Sequence, residues 1–139
     1  MAEYHVRSAA IEDLAFVSQD GYLPREVVLQ KIQHGECFVV LLDGELAGYL
    51  RLEFLWSLVP YITLIHVTDT FQKRGCSRKL LDFVIQQLQN EGFDVLYSSS
   101  QANEPEPQAW HRHMGFEECG MIGGINDGGI GEIFFRKSF

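Results

Sequence analysis

The chain has 139 residues, 46% of them apolar and 12% aromatic, enough for one packed core and a single domain over residues 1–139. Its formal net charge of -8 excludes the basic profile of a nonspecific nucleic-acid binder. No run of about 18 apolar residues is available to span a bilayer, and Cys37, Cys76 and Cys119 form no CxxC pair. A reduced, cytoplasmic setting with no membrane contact is therefore expected.

In chain order, residues 3–8 alternate as a first strand. Asp13 to Ser18 predicts a short helix. Pro24 to His34 predicts a second, with Pro24 in its first turn, Val27, Val28 and Ile32 as its apolar stripe, and Gly35 as its stop. Cys37–Leu42 and Leu46–Phe54 flank Asp43-Gly44-Glu45, the pattern of a hairpin. Tyr61–Val67 follows a break at Pro60 as a further strand. Ser77–Gln89 places Leu81, Val84, Ile85 and Leu88 at helical spacing and ends at Glu91-Gly92. Asp94–Ser99 reads as a strand and Pro107–Met114 as a short helix capped by Gly115. Phe116–Met121 and Gly131–Arg136 read as closing strands around a Gly-rich turn. This order implies an α+β domain: a mixed, mostly antiparallel central sheet with helices on both faces.

The stretch from Val67 to Leu81 carries the chemistry. An apolar strand enters a polar turn, Gln72-Lys73-Arg74-Gly75, which opens directly onto an amphipathic helix. The first N–H groups of a helix have no intrahelical partner and carry the positive end of its dipole, so they form a site for phosphate-like anions. Lys73, Arg74 and Arg78 are the densest positive cluster in an acidic chain. They read either as a solvated helix start or as cations held there by a bound anion, since the dipole alone disfavours them.

Gln72-Lys73-Arg74-Gly75-Cys76-Ser77 resembles the signature of the GNAT superfamily of N-acetyltransferases: Arg or Gln, two residues, Gly, one residue, then Gly or Ala. Ser77 departs from the last position. Ala109-Trp110-His111-Arg112-His113-Met114-Gly115-Phe116 resembles a second family pattern, an aromatic pair leading to Gly-Phe. The resemblance implies a GNAT-like fold, acetyl-CoA as cosubstrate, no metal, and direct acetyl transfer to a primary amine of a small molecule or a protein or peptide. It also implies that Gln72, Lys73, Arg74, Gly75, Cys76, Ser77 and Arg78 hold the pyrophosphate. The backbone of Ile65, His66 and Val67 would pair with pantetheine where two central strands splay, because amides can imitate a strand edge. Asn103 stands where the family often has an Asn on the pantetheine arm. The resemblance leaves a monomer and a homodimer open.

Single residues keep two readings each. His111 stands where many family members have a Tyr that protonates the leaving thiolate; an imidazolium could do the same, or the ring could simply pack. Glu53 shares a strand face with Arg51 and is either a base for the amine or a partner in an intrasheet ion pair. Cys76 is a nucleophile or a buried thiol. The His66 side chain reads as packed unless a bulge re-aims it. Tyr22 lines the acceptor pocket or joins the core, and Trp56 and Trp110 read as packing residues. The loops Gln19–Arg25 and Leu55–Pro60 would set the acceptor. Because the family Tyr is missing and no base is obvious, a non-catalytic acyl-CoA-binding sensor or interaction module is the alternative to an enzyme.

Overall fold

The computed structural model describes residues 1–139. Seven strands form one sheet: β1 (Tyr4–Ser8), β2 (Cys37–Leu42), β3 (Glu45–Leu55), β4 (Val59–Val67), β5 (Val95–Gln101), β6 (Glu117–Ile122) and β7 (Glu132–Ser138). Their order is β1-β2-β3-β4-β5-β7-β6, and every neighbouring pair is antiparallel except β4 with β5. The helices are α1 (Leu14–Val17), α2 (Arg25–Gln33), α3 (Cys76–Asn90) and α4 (Pro105–His113). No helix is long and apolar enough to cross a membrane.

The two faces of β2 explain the layering. Its run of apolar residues is buried on both sides, as expected for a strand covered above and below. Phe38, Val40 and Leu42 face α3, which buries Leu80, Leu81, Val84 and Leu88 against them. Each such side chain removed from water contributes roughly 1.5–3 kcal/mol. Cys37 and Val39 point the other way and pack with Val17, Val28 and Ile32 of α1 and α2. Met114 and Phe116, which follow α4, join the α3 core. The expected α+β sheet with helices on both faces is what the chain forms.

Helix ends steer the chain back to the sheet. Beyond α4, Gly115 takes φ +88, a conformation that L side chains rarely adopt. That lets Phe116 N–H reach the His111 carbonyl at 2.9 Å and turn into β6, a Schellman-type ending. After α3, Phe93 N–H closes on the Leu88 carbonyl in the same way at 2.9 Å.

Two expectations need correction. Pro60 does not break the strand: β4 starts at Val59 and Pro60 sits opposite Phe54, since proline is tolerated at a strand's start. Trp56 does not pack: it lies at the β3–β4 turn with φ +53 and is 83% exposed.

On the α1–α2 face, Arg51 is buried against Asp20. Its Nη1 and Nη2 donate to Asp20 Oδ1 and Oδ2 at 2.7 and 2.9 Å, and Nη1 also donates to the Val17 carbonyl at 2.8 Å. Tyr49 Oη adds a bond to Asp20 Oδ1 at 2.7 Å, and Asp20 Oδ2 accepts the Tyr22 N–H at 3.1 Å. This cluster ties the α1–α2 loop to β3. Burial by itself would raise the Asp20 carboxyl, but bonds from Arg51, Tyr49 and the Tyr22 amide outweigh it and hold the group well below the usual carboxylate range.

Arg51→Met leaves the Asp20 charge buried without its partner and is expected to cost about 3–5 kcal/mol in urea unfolding. A loss below about 1 kcal/mol would show that the pair is structurally idle. Because the folded Asp20 binds fewer protons than the unfolded one, its contribution is complete above the unfolded value of about 3.9 and fades as pH falls toward the lower folded value. Asp20→Asn should therefore flatten the acid side of the stability curve below about pH 4, measured by unfolding at stepped pH.

Candidate active site

β4 and β5 run side by side at the centre of the sheet yet share a single register pair, Tyr61 with Tyr97. A bulge contributes to the divergence: Arg51 pairs with Leu64 and Leu52 with Ile62, which leaves Thr63 as the extra residue on β4. Bulges bend the strand that carries them and increase its twist. The gap between the strands is a cleft of about 880 Å³, walled on one side by Ile62, Leu64, Ile65 and Val67 and on the other by Ser98, Ser99, Ser100 and Gln101.

The start of α3 forms one end of the cleft. Gly75 is its N-cap at φ +85, and no side chain caps it. A Cβ at Gly75 would stand 3.4 Å from the Tyr4 hydroxyl, which donates to the Arg74 carbonyl. Lys79 N–H closes the first turn on the Gly75 carbonyl at 3.1 Å, and the preceding amides of Cys76, Ser77 and Arg78 belong to the part of a helix that has no internal acceptors. Gln72, Lys73, Gly75, Cys76, Ser77 and Arg78 all line the cleft. Lys73 takes a left-handed φ of +60, rare for a residue with a side chain. Ser77 accepts the Trp110 Nε1–H at 3.1 Å, so the residue that departs from the signature anchors α4 to α3.

Other expected residues are placed differently. Ile65 and Val67 line the cleft, whereas His66 turns to the opposite face with its ring 5.3 Å from Tyr49. Arg74 does not itself line the cleft; its guanidinium lies over the ring of Phe71, which does, at 5.9 Å. Asn103 is exposed in the β5–α4 turn and Glu53 lies outside the cleft, paired with Lys31 at 3.4 Å. The Cys76 thiol is buried in the core, and burial pushes its pKa up against the smaller pull of Arg74. Tyr22 is 76% exposed and lines the cleft from the α1–α2 loop, but no residue of Leu55–Pro60 reaches it.

His111 lies at the cleft yet is only 4% exposed. Its ring stacks on Phe135 at 4.5 Å. Nδ1 is 2.7 Å from the Pro107 carbonyl and must donate to it, so Nε2 accepts the Ser98 hydroxyl at 2.7 Å. Burial lowers the ring's pKa, partly offset by the Pro107 bond. In this state the neutral ring has no proton free for the cleft; it orients Ser98.

Sequence reasoning missed a second network on the opposite face of the sheet. Tyr61 Oη lies 2.6 Å from Ser99 Oγ, Ser99 Oγ donates to Glu132 Oε2 at 2.5 Å, and Asn126 Nδ2 donates to Glu132 Oε1 at 2.9 Å. The three successive serines in a central strand were its only local trace.

The His111 ring is expected to stay neutral at pH 7 and to titrate below 6.5, with nitrogen-15 shifts reporting the Nδ1–H tautomer. An Nε2–H tautomer, or a midpoint above 6.5, would overturn this assignment.

Comparison with known proteins agrees with the geometry. The acetyltransferase (GNAT) family matches residues 5–116. A GNAT-family acetyltransferase from Bacillus cereus superposes with a TM-score of 0.80 at 23% identity, over 98% of this chain and 97% of that one. The ribosomal-protein-S18-alanine N-acetyltransferase of Escherichia coli gives 0.79 at 19%, over 98% and 94%. The protein yncA from Salmonella typhimurium, solved with its cofactor acetyl-CoA, gives 0.80 at 15%, over 97% and 93%. At these identities the likeness to solved structures is one of fold. No match is found among curated protein sequences. With 112 of its 139 residues spanned by the family pattern, and the glycine-opened helix set beside the parted strands, the chain belongs to the GNAT acetyltransferase family.

Proposed function

We propose that this protein is an N-acetyltransferase that moves an acetyl group from acetyl-CoA to a primary amine of a small molecule or a peptide. The observation that carries this reading is the open β4–β5 gap leading to the uncapped start of α3. Acetyl-CoA supplies an activated thioester. The amides from Lys73 to Ser77 suit its pyrophosphate, with Lys73 and Arg78 adding charge, while the Gln72 N–H is held by the Asp69 carbonyl at 3.3 Å. The strand edge at Ile65–Val67 suits the two amides of pantetheine. The same edge supplies N–H groups that polarise an acyl carbonyl at no reorganisation cost, because β3 fixes the strand. On the α3–α4 face, His111 fixes the Ser98 hydroxyl at the cleft wall.

One observation favours the alternative of a non-catalytic acyl-CoA sensor: both nitrogens of His111 are already engaged. Thiol release separates the two. Binding of acetyl-CoA with no thiol released across a broad amine panel supports the sensor, and turnover with any amine removes it.

Calorimetry with acetyl-CoA should give a micromolar or tighter Kd. Gly75→Val should weaken it at least a hundredfold, because the branched side chain resists φ +85 and meets Tyr4. Equal affinity in wild type and variant would place the donor site elsewhere.

A further inference from the structure

Glu132 is a cleft carboxylate held at both oxygens by neutral donors and paired with no cation. Ser99 and Asn126 supply the two bonds, and none of the ion pairs in the structure includes it. A partly buried carboxylate is costly to leave without a counter-charge, so the arrangement suits an arriving cation. Its position is equally specific. Strand alternation and the β5–β7 register put Ser99, Phe134 and Glu132 on the α1–α2 face, while Ser98, Ser100 and Phe135 face α4. The proposed donor site at α3 lies on that other face. Donor and acceptor would then meet through the gap between β4 and β5. Tyr22, exposed on the α1–α2 loop, lines the same cleft.

We infer that Glu132 is a catalytic residue: it binds the acceptor as an ammonium ion and takes its proton, which selects against amines with a neighbouring negative charge. This rests on the acetyltransferase reading. Since an ionised carboxylate only accepts hydrogen bonds, Ser99 spends its own hydroxyl proton on Glu132 and accepts from Tyr61. That chain fixes the carboxylate's direction, and Asn126 joins it to the Gly-rich loop before β7. The ammonium gives one proton to Glu132, which releases it to solvent. The freed lone pair forms the C–N bond at the acetyl carbon as the C–S bond breaks. The electron pair leaves with the sulfur, and the nitrogen's second proton ends there as free thiol.

The test uses Glu132→Gln, which keeps the shape, with acetyl-CoA affinity as the check on folding. Spermidine and an amidated basic tripeptide represent small and peptidic ammonium acceptors, and glutamate is the anionic control. In wild type at least one of the first two should be acetylated at a kcat/KM tenfold or more above glutamate's. In Glu132→Gln the Kd for acetyl-CoA should stay within twofold of wild type. Calorimetric affinity of the accepted amine for the protein loaded with desulfo-CoA should fall at least tenfold, and kcat about a hundredfold. Unchanged amine affinity and turnover in the variant, or equal use of glutamate, overturns the role of Glu132 alone. Failure of wild type to bind acetyl-CoA overturns the acetyltransferase reading, and this inference with it.

Discussion

The structure turns on two parallel strands that pair once and then part. Buried backbone N–H and C=O groups need partners, and a sheet interior normally supplies them. Beyond Tyr61 and Tyr97, β4 and β5 no longer supply them to each other. The bulge at Thr63 bends β4, while Thr63 Oγ1 holds to the Arg51 carbonyl at 3.2 Å, so the distorted strand stays fastened to β3. An opening in the middle of a sheet is tolerable only if the rest is stiff, and here the remaining strands pair over their length on both sides.

The opening gives the cleft its polarity. Its α3 end holds Lys73, Arg78 and the free amides of the helix start. The opposite face holds Glu132, an uncompensated negative charge. The two helix pairs divide the same way, α3 and α4 behind the positive end, α1 and α2 behind the negative one. The buried Arg51–Asp20 pair fits this plan, because it anchors to the sheet the loop that carries Tyr22. Replacing both partners together by apolar residues would in general be no less stable; what the ion pair adds here is a defined position for an exposed loop.

Legibility followed sequence distance. The α3 start could be read because Gln72 to Ser77 are contiguous, and a glycine before an amphipathic run has a local meaning. The ends of α3 and α4 were legible for the same reason. Pro60 misled because its cost depends on where in a strand it falls, and that depends on β3. Trp56 misled because bulk and apolarity state a preference for burial, not the presence of something to bury against. Glu53 was placed on the correct strand face, but its partner, Lys31, comes from α2, 22 residues away.

Composition, periodicity and one contiguous motif by themselves determined the α+β class, the element order and the glycine-opened start of α3, since each depends on residues a few positions apart. Only the tertiary structure decided which polar side chains share the cleft. Ser99 meets Glu132 across 33 residues because β5 pairs with β7, and His111 spends its ring on Pro107 and Ser98 because α4 lies over β5. Such contacts arise when sheet register and helix packing bring distant segments together, and a linear pattern holds no record of that distance.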